Sequence, residues 1–365
     1  MKPVAITAWG VVSTFGVGWD AFRAGITGEA GAAFGSAPTA LPSLAGLGVR
    51  AAEVASFDPR PIVGDKGLRN NDRLTKLLLV AARLGLEAAG LKREGAFAAL
   101  GADDIGVCGS TAYGSLEAIH ELHTVALRED PRYLNPARFP NTVINSSVGY
   151  VSIWEELRAL NATVTNGPTG ALDALDAACT WIAAGRAKAV LAGGAEALSE
   201  GLWQGFRRAG AEALTLGEGA CLAVLEDEAA ARARGATVHA VIAGYGSAFD
   251  PGDEGTTMVR AGRGALERAL RLALADAGIE ASEVTLALTG RSGLASFDAA
   301  EREAIAAVLG DVPAVAPKEW IGETLGAAGA FAVAFGCAVS GAGYAVVTSL
   351  GFYGNASALV FRRAE

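Results

Sequence analysis

Two spacings of apolar residues alternate along this chain of 365 residues. Continuous or alternating apolar runs predict strands, and apolar residues three and four positions apart predict helices. The strongest helical pattern covers residues 71–89, where leucines recur on one face and Asp72 is placed to cap the first turn. Strands alternate with helices in both halves, which predicts an α/β protein with mostly parallel sheets covered by helices.

The same reading along the whole chain gives the following elements. The predicted strands are residues 4–13, 104–110, 162–165, 188–194, 220–225, 237–248, 284–288, 312–315, 344–349 and 357–361. The predicted helices are residues 20–26, 71–89, 116–128, 148–160, 169–184, 226–234, 263–277, 297–309 and 325–339. Segments 31–65 and 130–145 are predicted to be irregular. The long strand at 237 opens a second half without a low-complexity linker, so we expect halves 1–235 and 236–365 packed into one unit.

Residues 324–361 contain no charged side chain. A stretch of this length is long enough to span a membrane. Glycines interrupt it, however, and its pattern changes from helical to strand-like near Gly343. A buried helix followed by two central strands is therefore predicted, and no membrane span.

Composition excludes several classes of function. The net charge is −9 and no Lys/Arg-rich run is present, which argues against a nucleic-acid partner. The four cysteines lie in apolar runs without CxxC spacing, which predicts buried reduced thiols. His120 and His123 have the spacing of a metal pair, but no carboxylate or cysteine cluster supports it, so neither metal nor cofactor is expected. No long apolar segment follows Lys2, and a cytoplasmic protein is expected.

The functional interpretation depends on residues 161–171, Asn-Ala-Thr-Val-Thr-Asn-Gly-Pro-Thr-Gly-Ala. A strand, a tight turn and a helix follow one another there. Many enzymes mount a nucleophile at such a turn, because the helix N-terminus offers free N–H groups and a positive dipole end. The apex here carries Pro168 instead of Cys or Ser. Proline is favoured at the first helical position, where its missing N–H has no partner anyway.

Six stretches, spread over nearly the whole length, have the order and spacing of motifs from one protein family. They are residues 4–13, residues 73–90, Ala192-Gly-Gly-Ala-Glu196, Gly217-Glu-Gly-Ala220 with Val224-Leu-Glu226, Gly326-Ala-Ala-Gly329, and Leu350-Gly-Phe-Tyr-Gly354. Together they resemble the β-ketoacyl synthases of the thiolase fold. The resemblance implies a thiolase-like αβαβα layered fold of two pseudo-symmetric halves.

By this resemblance, the chemistry of the family needs a cysteine that carries the acyl chain as a thioester. Counting back without a gap from the Gly-Gly pair at 193–194, the cysteine position falls at Pro168. The nucleophile's own N–H forms half of the family's oxyanion hole, and proline has no N–H. Phe352 is retained for the other half, but Tyr353 replaces a glycine beside it and is expected to fill the pocket.

Two histidines promote decarboxylation of the malonyl-carrier protein and stabilise the enolate in this family. Their positions fall at Gly290, with Thr289 one residue away, and at Glu323. Lys318 matches the lysine of the family. All three reacting groups are therefore expected to be missing, and no condensation by this chain alone is expected.

Type II polyketide systems pair a working ketosynthase with a sister that lacks the cysteine, the chain-length factor. The turn of those sisters reads Gln-Ala-Gly-Gly-Leu-Asp-Ala-Leu, and Pro168-Thr-Gly-Ala-Leu-Asp-Ala-Leu175 resembles it from Gly170 onward. Proline replaces the glutamine. Diverged sisters also occur in aryl-polyene clusters. The resemblance implies a heterodimer with an active ketosynthase, joined through the strand 162–165, with the acyl carrier protein reached through the complex.

The acyl tunnel of the active partner would run toward that interface. Large side chains at its floor would stop chain growth by filling volume that a longer chain needs. The expected contacts are Tyr113, Leu116, Ile119, His120 and Phe139. Ordinary interface packing is the alternative for each of them.

Two other functions stay open. One is a diverged acyltransferase or hydrolase with Ser292, Thr169 or Glu323 as nucleophile, although no Ser/His/Asp spacing supports it. The other is a homodimeric acyl-binding scaffold. Co-purification with a partner, thioester turnover by the isolated chain, and self-association separate the three.

Overall fold

The computed structural model describes residues 3–28, 50–211, 213–253, 258–339 and 341–364. Short 3₁₀ turns connect many of its elements. The strands are β1 (Val4–Ser13), β2 (Gly16–Val17), β3 (Ala51–Ala52), β4 (Lys92–Arg93), β5 (Ala96–Phe97), β6 (Ile105–Ser110), β7 (Asn161–Val164), β8 (Ala189–Glu196), β9 (Leu216–Gly217), β10 (Gly219–Asp227), β11 (Ala240–Phe249), β12 (Val284–Leu288), β13 (Ala314–Val315), β14 (Gly343–Leu350) and β15 (Asn355–Arg363). The helices are α1 (Trp19–Thr27), α2 (Arg60–Val63), α3 (Arg73–Ala88), α4 (Leu116–Arg128), α5 (Ser146–Glu155), α6 (Gly170–Ala183), α7 (Glu200–Arg208), α8 (Glu228–Ala233), α9 (Arg263–Ala277), α10 (Ala295–Leu309), α11 (Lys318–Ile321) and α12 (Ala328–Ala338).

The large sheet is mixed, and the expectation of mostly parallel sheets was wrong. Its strand order is β13-β12-β14-β15-β11-β1-β10-β8-β6-β7, with β2 paired to β1. β6 pairs in parallel with β7 and β8, and β12 with β13 and β14, whereas the ladders around β1, β10, β11 and β15 are antiparallel. Residues 351–354 join β14 directly to β15, and so short a connection permits only an antiparallel pair.

Five layers result from the alternation of side chains along the strands. On β10, Cys221, Ala223 and Leu225 face a central layer of α6 and α12. The intervening Ala220, Leu222 and Val224 face α3 and α5 on one outer side. α9 and α10 cover the opposite outer side, over β14 and β15. The expected αβαβα layering is confirmed. β1 also pairs with β11, so both sides of residue 235 share one sheet, and the division into 1–235 and 236–365 stays a prediction.

Most predicted elements are present, with four differences. The predicted helix 148–160 ends at Glu155, because Glu156 takes a left-handed conformation with φ 56°. The segment 130–145 forms two 3₁₀ turns. Residues 31–49 of the predicted loop 31–65 lie outside the described residues, and the rest of it contains β3 and α2. α7 had no predicted counterpart.

The uncharged stretch 324–361 forms α12, β14 and most of β15, as predicted. Every residue of α12 except Cys337 is buried. No helix in the described ranges is long and apolar enough to cross a bilayer.

The sheet ends at β7, which pairs only with β6 among the described strands. Amides of β6 and the residue after it donate to the carbonyls of Leu160 and Val164. Since alternate residues of a strand point their backbone groups to opposite sides, Asn161 and Thr163 direct theirs away from the sheet. β7 therefore presents an unpaired edge.

Candidate functional site

The turn between β7 and α6 joins the edge strand of the sheet to a helix of the central layer. Gly167 has φ 64°, a left-handed conformation that glycine adopts without strain, and it lets the chain reverse into the helix. Pro168 and Thr169 are buried in the 3₁₀ turn that precedes α6. A side chain at Gly170 would put its Cβ 2.3 Å from Ser110 Oγ on β6, so the helix start is pressed against the sheet.

Asp173 on the first turn of α6 organises a hydrogen-bond network below Pro168. Its Oδ1 accepts hydrogen bonds from the Tyr245 hydroxyl and the Ser357 hydroxyl, both at 2.6 Å. Its Oδ2 accepts from Asn166 Nδ2 at 2.7 Å and from Thr169 Oγ1 at 3.1 Å. Burial, and then Asp173 itself, raise the pKa of Tyr245, so the phenol stays a donor at neutral pH.

This network lines an open cavity of about 900 Å³ beside Pro168. The charged side chains in its described wall are Asp173 and Asp176. Burial raises the pKa of Asp176 to about 6, with further contributions from Asp276 and Asp173. The cavity is therefore polar and acidic, and it has no basic side chain in that wall to hold an anion.

Lys318 and Glu323 form a buried ion pair next to this turn. Lys318 Nζ lies 2.6 Å from Glu323 Oε2, and Glu323 Oε1 accepts a hydrogen bond from the Leu325 amide at 2.8 Å. The 3₁₀ turn at Leu325–Ala327 packs directly against the turn that carries Pro168. Lys318 is thus paired with the carboxylate of Glu323, the residue at the position predicted for the second histidine of the family.

Gly290 borders the other side of Lys318. Both line a pocket of about 10 Å³, roughly the volume of one water-sized sphere. The Gly290 amide donates to Glu301 Oε1 at 2.8 Å, and Thr348 Oγ1 donates to the same oxygen at 2.6 Å. Burial raises the pKa of Glu301. The space at Gly290 is therefore small, and the polar partner of its amide is the buried Glu301 carboxyl rather than an imidazole.

Phe352 and Tyr353 stand between the acidic cavity and a second cavity of about 800 Å³. Tyr353 is half-exposed and lines both. The expectation that it fills the pocket beside Pro168 is not met, because Tyr353 lines a cavity there that still has a volume of about 900 Å³.

The five predicted tunnel residues separate into two groups. Tyr113 and Leu116 line the 800 Å³ cavity. Ile119 and Phe139 line a different cavity of about 460 Å³ between α4 and the 3₁₀ turns. His120 is exposed and lines neither of them.

The candidate nucleophiles Thr169 and Ser292 are hydrogen-bonded to carboxylates and not to a histidine. Thr169 Oγ1 is held by Asp173 and by Asn355 Nδ2, which donates to it at 3.1 Å. Ser292 lies on the loop before α10, where its amide donates to Asp298. None of the chain's three histidines lines the cavity beside Pro168. His239 packs edge-to-face on Trp19, and burial lowers its pKa.

The four thiols are unbridged, and burial raises the pKa of each. Cys337 is half-buried and the other three are buried. In the described ranges, no group of three or more His, Cys, Asp or Glu side chains has the arrangement of a metal site.

Family models match both halves of the chain. The β-ketoacyl synthase N-terminal domain matches residues 1–238, and the β-ketoacyl synthase C-terminal domain matches residues 239–340. The chain belongs to the β-ketoacyl synthase family.

Members of the family resemble the chain over most of their length. 3-Oxoacyl-[acyl-carrier-protein] synthase 2 of Vibrio cholerae serotype O1 is 29% identical over 363 residues, covering 90% of this chain and 83% of that protein. Nodulation protein E of Rhizobium sp. is 32% identical over 294 residues, covering 75% and 69%. Among solved structures, the ishigamide ketosynthase/chain length factor superposes with a TM-score of 0.87 at 25% identity over all of both chains. The thiolase-like fold expected from the motifs is therefore confirmed.

The sequence reasoning missed α7, whose Leu202 and Phe206 line the 800 Å³ cavity of this member of the β-ketoacyl synthase family. A signal was present, since Ser199 caps the helix by accepting from the Leu202 amide, and apolar residues follow at helical spacing. Gly201 and Gly205 are poor helix formers and obscured the pattern. The Asp173–Tyr245 bond joins residues 72 positions apart, and no local pattern indicates it.

Proposed function

We propose that this chain is a non-catalytic ketosynthase-like subunit, a chain-length factor, that pairs with an active β-ketoacyl synthase. It shapes the acyl tunnel of that partner during elongation of a polyketide, polyene or fatty-acid-type chain. The acyl carrier protein, named in the description of the Vibrio cholerae relative, is reached through the complex. The complex is cytoplasmic in this proposal.

The turn at Pro168 carries the proposal. The residue has neither a nucleophilic atom nor an N–H, and it is buried in the turn at the start of α6. Loss of one oxyanion donor typically lowers a rate by about 10²–10³. The absence of a nucleophile removes the covalent step altogether. The two positions predicted for the histidines supply no imidazole either. One is Glu323, which pairs with Lys318, and the other is Gly290, which borders a pocket of about 10 Å³.

A second observation supports the pairing. Large apolar side chains are exposed close in sequence to the unpaired edge strand β7. They come from one segment, residues 127–153, and are Leu127, Tyr133, Phe139, Val143, Ile144 and Ile153. Exposed large apolar side chains and an unpaired strand edge are each typical of protein interfaces.

The pairing with the ketosynthase is tested by removing one backbone N–H of β7 that points away from the sheet. Thr163→Pro removes an N–H that points away from β6, so the monomer is expected to keep its thermal midpoint. Strand pairing with the ketosynthase then loses a hydrogen bond and meets the proline ring. We expect the affinity for the co-expressed partner, measured by native mass spectrometry, to fall by about tenfold or more.

Thr163→Ala is the matched control, because it removes the same side chain but keeps the N–H. It should pair like the parent. Equal affinities for Thr163→Pro and the parent would contradict edge-strand pairing, and a chain that forms only self-dimers would favour the homodimeric scaffold.

Phe139 tests the role in chain length. Phe139 is 65% exposed and lies on the segment 127–153 that carries the exposed apolar side chains. If it floors the partner's tunnel, Phe139→Ala in the assembled complex opens volume, and the products should become longer by mass spectrometry. Leu127→Ala removes another exposed apolar side chain outside the predicted tunnel set and should leave product length unchanged. Unchanged products with Phe139→Ala would argue against the tunnel role.

The catalytic alternative is tested with the isolated chain. Incubation with acyl- and malonyl-carrier protein should give neither thioester hydrolysis nor a condensed product. Turnover that is lost in Thr169→Val or Ser292→Ala would replace the proposal with a diverged acyltransferase or hydrolase.

A further inference from the structure

A cavity of about 440 Å³ borders the start of α3, the first turn of α4 and the 3₁₀ turn Pro136–Thr142. None of its described wall residues lines the cavities considered above. Nine of the thirteen described wall residues are charged, five of them basic and four acidic. Cavities of about 300–1,000 Å³ are typical of small-molecule sites. The nearly balanced charge of this one indicates a ligand that is itself close to neutral.

Only part of this charge is neutralised inside the protein. Three of the basic side chains are held by carboxylates: Arg60 by Asp58, Arg73 by Glu218 and Arg138 by Glu121. Arg69, Lys76, Asp72 and Glu117 border the same cavity without an ion-pair partner among the described residues. Asp72 and Lys76 even have the i, i+4 spacing at which opposite charges commonly pair on a helix. Charges of both signs are therefore left available to a ligand.

The two carboxylates meet the N-terminus of α3. Asp72 Oδ1 accepts a hydrogen bond from the Thr75 amide at 2.7 Å, and Glu117 accepts one from the Arg73 amide. Asp72 is 4% exposed, and its second oxygen, Oδ2, has no partner among the described residues. Burial, and then the charge of Asp72, raise the pKa of Glu117. A positively charged group placed between the two carboxylates would relieve their repulsion.

Unpaired donors lie in the same wall. Asn71 is 3% exposed, and its Nδ2 has no partner among the described residues; the same is true of the buried Nε of Arg138. Buried polar groups in native proteins almost always have a partner, so unpaired atoms of both kinds in one wall point to a bound molecule. Because a donor and an acceptor come from the adjacent Asn71 and Asp72, the complementary groups of that molecule must be close together.

From this geometry we propose that the 440 Å³ cavity binds a polar α-amino acid as its zwitterion. An α-amino acid carries an ammonium and a carboxylate group on one carbon atom and has no net charge. Its ammonium group lies at Asp72 and Glu117, and its carboxylate group lies at Asn71, Arg138 and Lys76. The site goes beyond the proposed pairing, and the two stand or fall separately because binding is measured without a partner.

Titration calorimetry of the purified chain tests the site with four probes: glycine, L-serine, L-asparagine and L-glutamine. The parent should bind at least one of them. The N-acetyl derivative of that amino acid lacks the ammonium group, and its carboxamide lacks the carboxylate, so each should bind about tenfold more weakly or less. Absence of binding by all four probes would overturn the site. Equal affinity for either derivative would overturn the zwitterion.

Lys76→Met tests the position of the carboxylate group. Lys76 is half-buried without an ion-pair partner among the described residues, and methionine has a similar helix propensity, so the thermal midpoint should not fall. Affinity for the bound probe should fall by about tenfold. Lys66→Met is the matched control, because Lys66 is exposed and lies outside the described wall, and the net charge changes equally. Equal affinity of Lys76→Met and Lys66→Met would contradict the proposed contact.

Glu117→Gln tests the position of the ammonium group. The glutamine carbonyl can still accept from the Arg73 amide, so the variant should fold, but the negative charge is lost. Affinity for the bound probe should again fall by about tenfold. Glu129→Gln makes the same change at the exposed C-terminal end of α4 and should bind like the parent. Parent-like affinity of Glu117→Gln would overturn the placement of the ammonium group.

Discussion

The buried ion pair between Lys318 and Glu323 gives a direct test of the candidate site, because its contribution to stability can be measured. Glu323→Gln keeps the shape of the side chain, and its carbonyl oxygen can still accept from the Leu325 amide. Only the negative charge is lost. Lys318 then carries a buried charge that no longer has its carboxylate at 2.6 Å.

The size of the effect follows from burial. The Lys318 side chain is 9% exposed and that of Glu323 is 2% exposed. Breaking a buried pair by removing one partner costs about 3–5 kcal/mol. We therefore expect Glu323→Gln to lower the free energy of unfolding by about 3 kcal/mol or more at pH 8.

Urea denaturation followed by tryptophan fluorescence measures the change in the free energy of unfolding. Glu303→Gln is the matched control, since it makes the same substitution in an ion pair whose side chains are 50% and 56% exposed, and it should cost less than about 1 kcal/mol. Lys318→Met combined with Glu323→Gln should recover most of the loss. If Glu323→Gln costs no more than Glu303→Gln at pH 8, the reasoning from a buried uncompensated lysine is refuted.

Three further predictions concern the cavity beside Pro168. Pro168→Cys alone should not yield a condensed product from malonyl-carrier protein, with or without acyl loading, because no imidazole is nearby; carbon–carbon bond formation would contradict the site mapping. The raised pKa of Asp176, about 6 instead of 3.8, means that the folded state binds the proton more tightly, so stability is lost as the pH rises from about 4 to above 6. Asp176→Asn should thus be more stable than the parent at pH 8, by about 1 kcal/mol after allowing for its partial exposure, and equal near pH 4 in thermal unfolding. Tyr245→Phe removes a 2.6 Å hydrogen bond to Asp173 and should cost about 1–3 kcal/mol in urea unfolding, whereas an unchanged midpoint would mean that Ser357 alone suffices.

The layered fold could be predicted from the sequence, because helices and strands are marked by the spacing of nearby residues. Leucines at helical spacing mark α3, and Asp72 caps it by accepting from the Thr75 amide, as its position predicted. Whether the strands pair in parallel or antiparallel could not be predicted. Alternation of strands and helices suggested parallel pairing, but direction depends on which strands meet, and β10 pairs with β1 from more than 200 residues away.

The candidate site was predictable only in part. The absence of a nucleophile at residue 168 follows directly from the sequence. The ion pair between the retained Lys318 and Glu323 could not be predicted from it. That Glu323 turns toward Lys318 depends on the 3₁₀ turn that begins at Leu325. Helix α7 was missed as well, because Gly201 and Gly205 are poor helix formers in the middle of it.

The free edge of β7 has a consequence for how the protein must be produced. Copies made in excess of a binding partner would carry an uncovered strand, and apolar side chains from residues 127–153 would remain exposed on the same chain. Such a surface recruits further copies into aggregates when its proper counterpart is scarce. Under the proposed pairing, matched synthesis of the two subunits keeps this surface covered, and the chain made alone is expected to self-associate as its concentration rises.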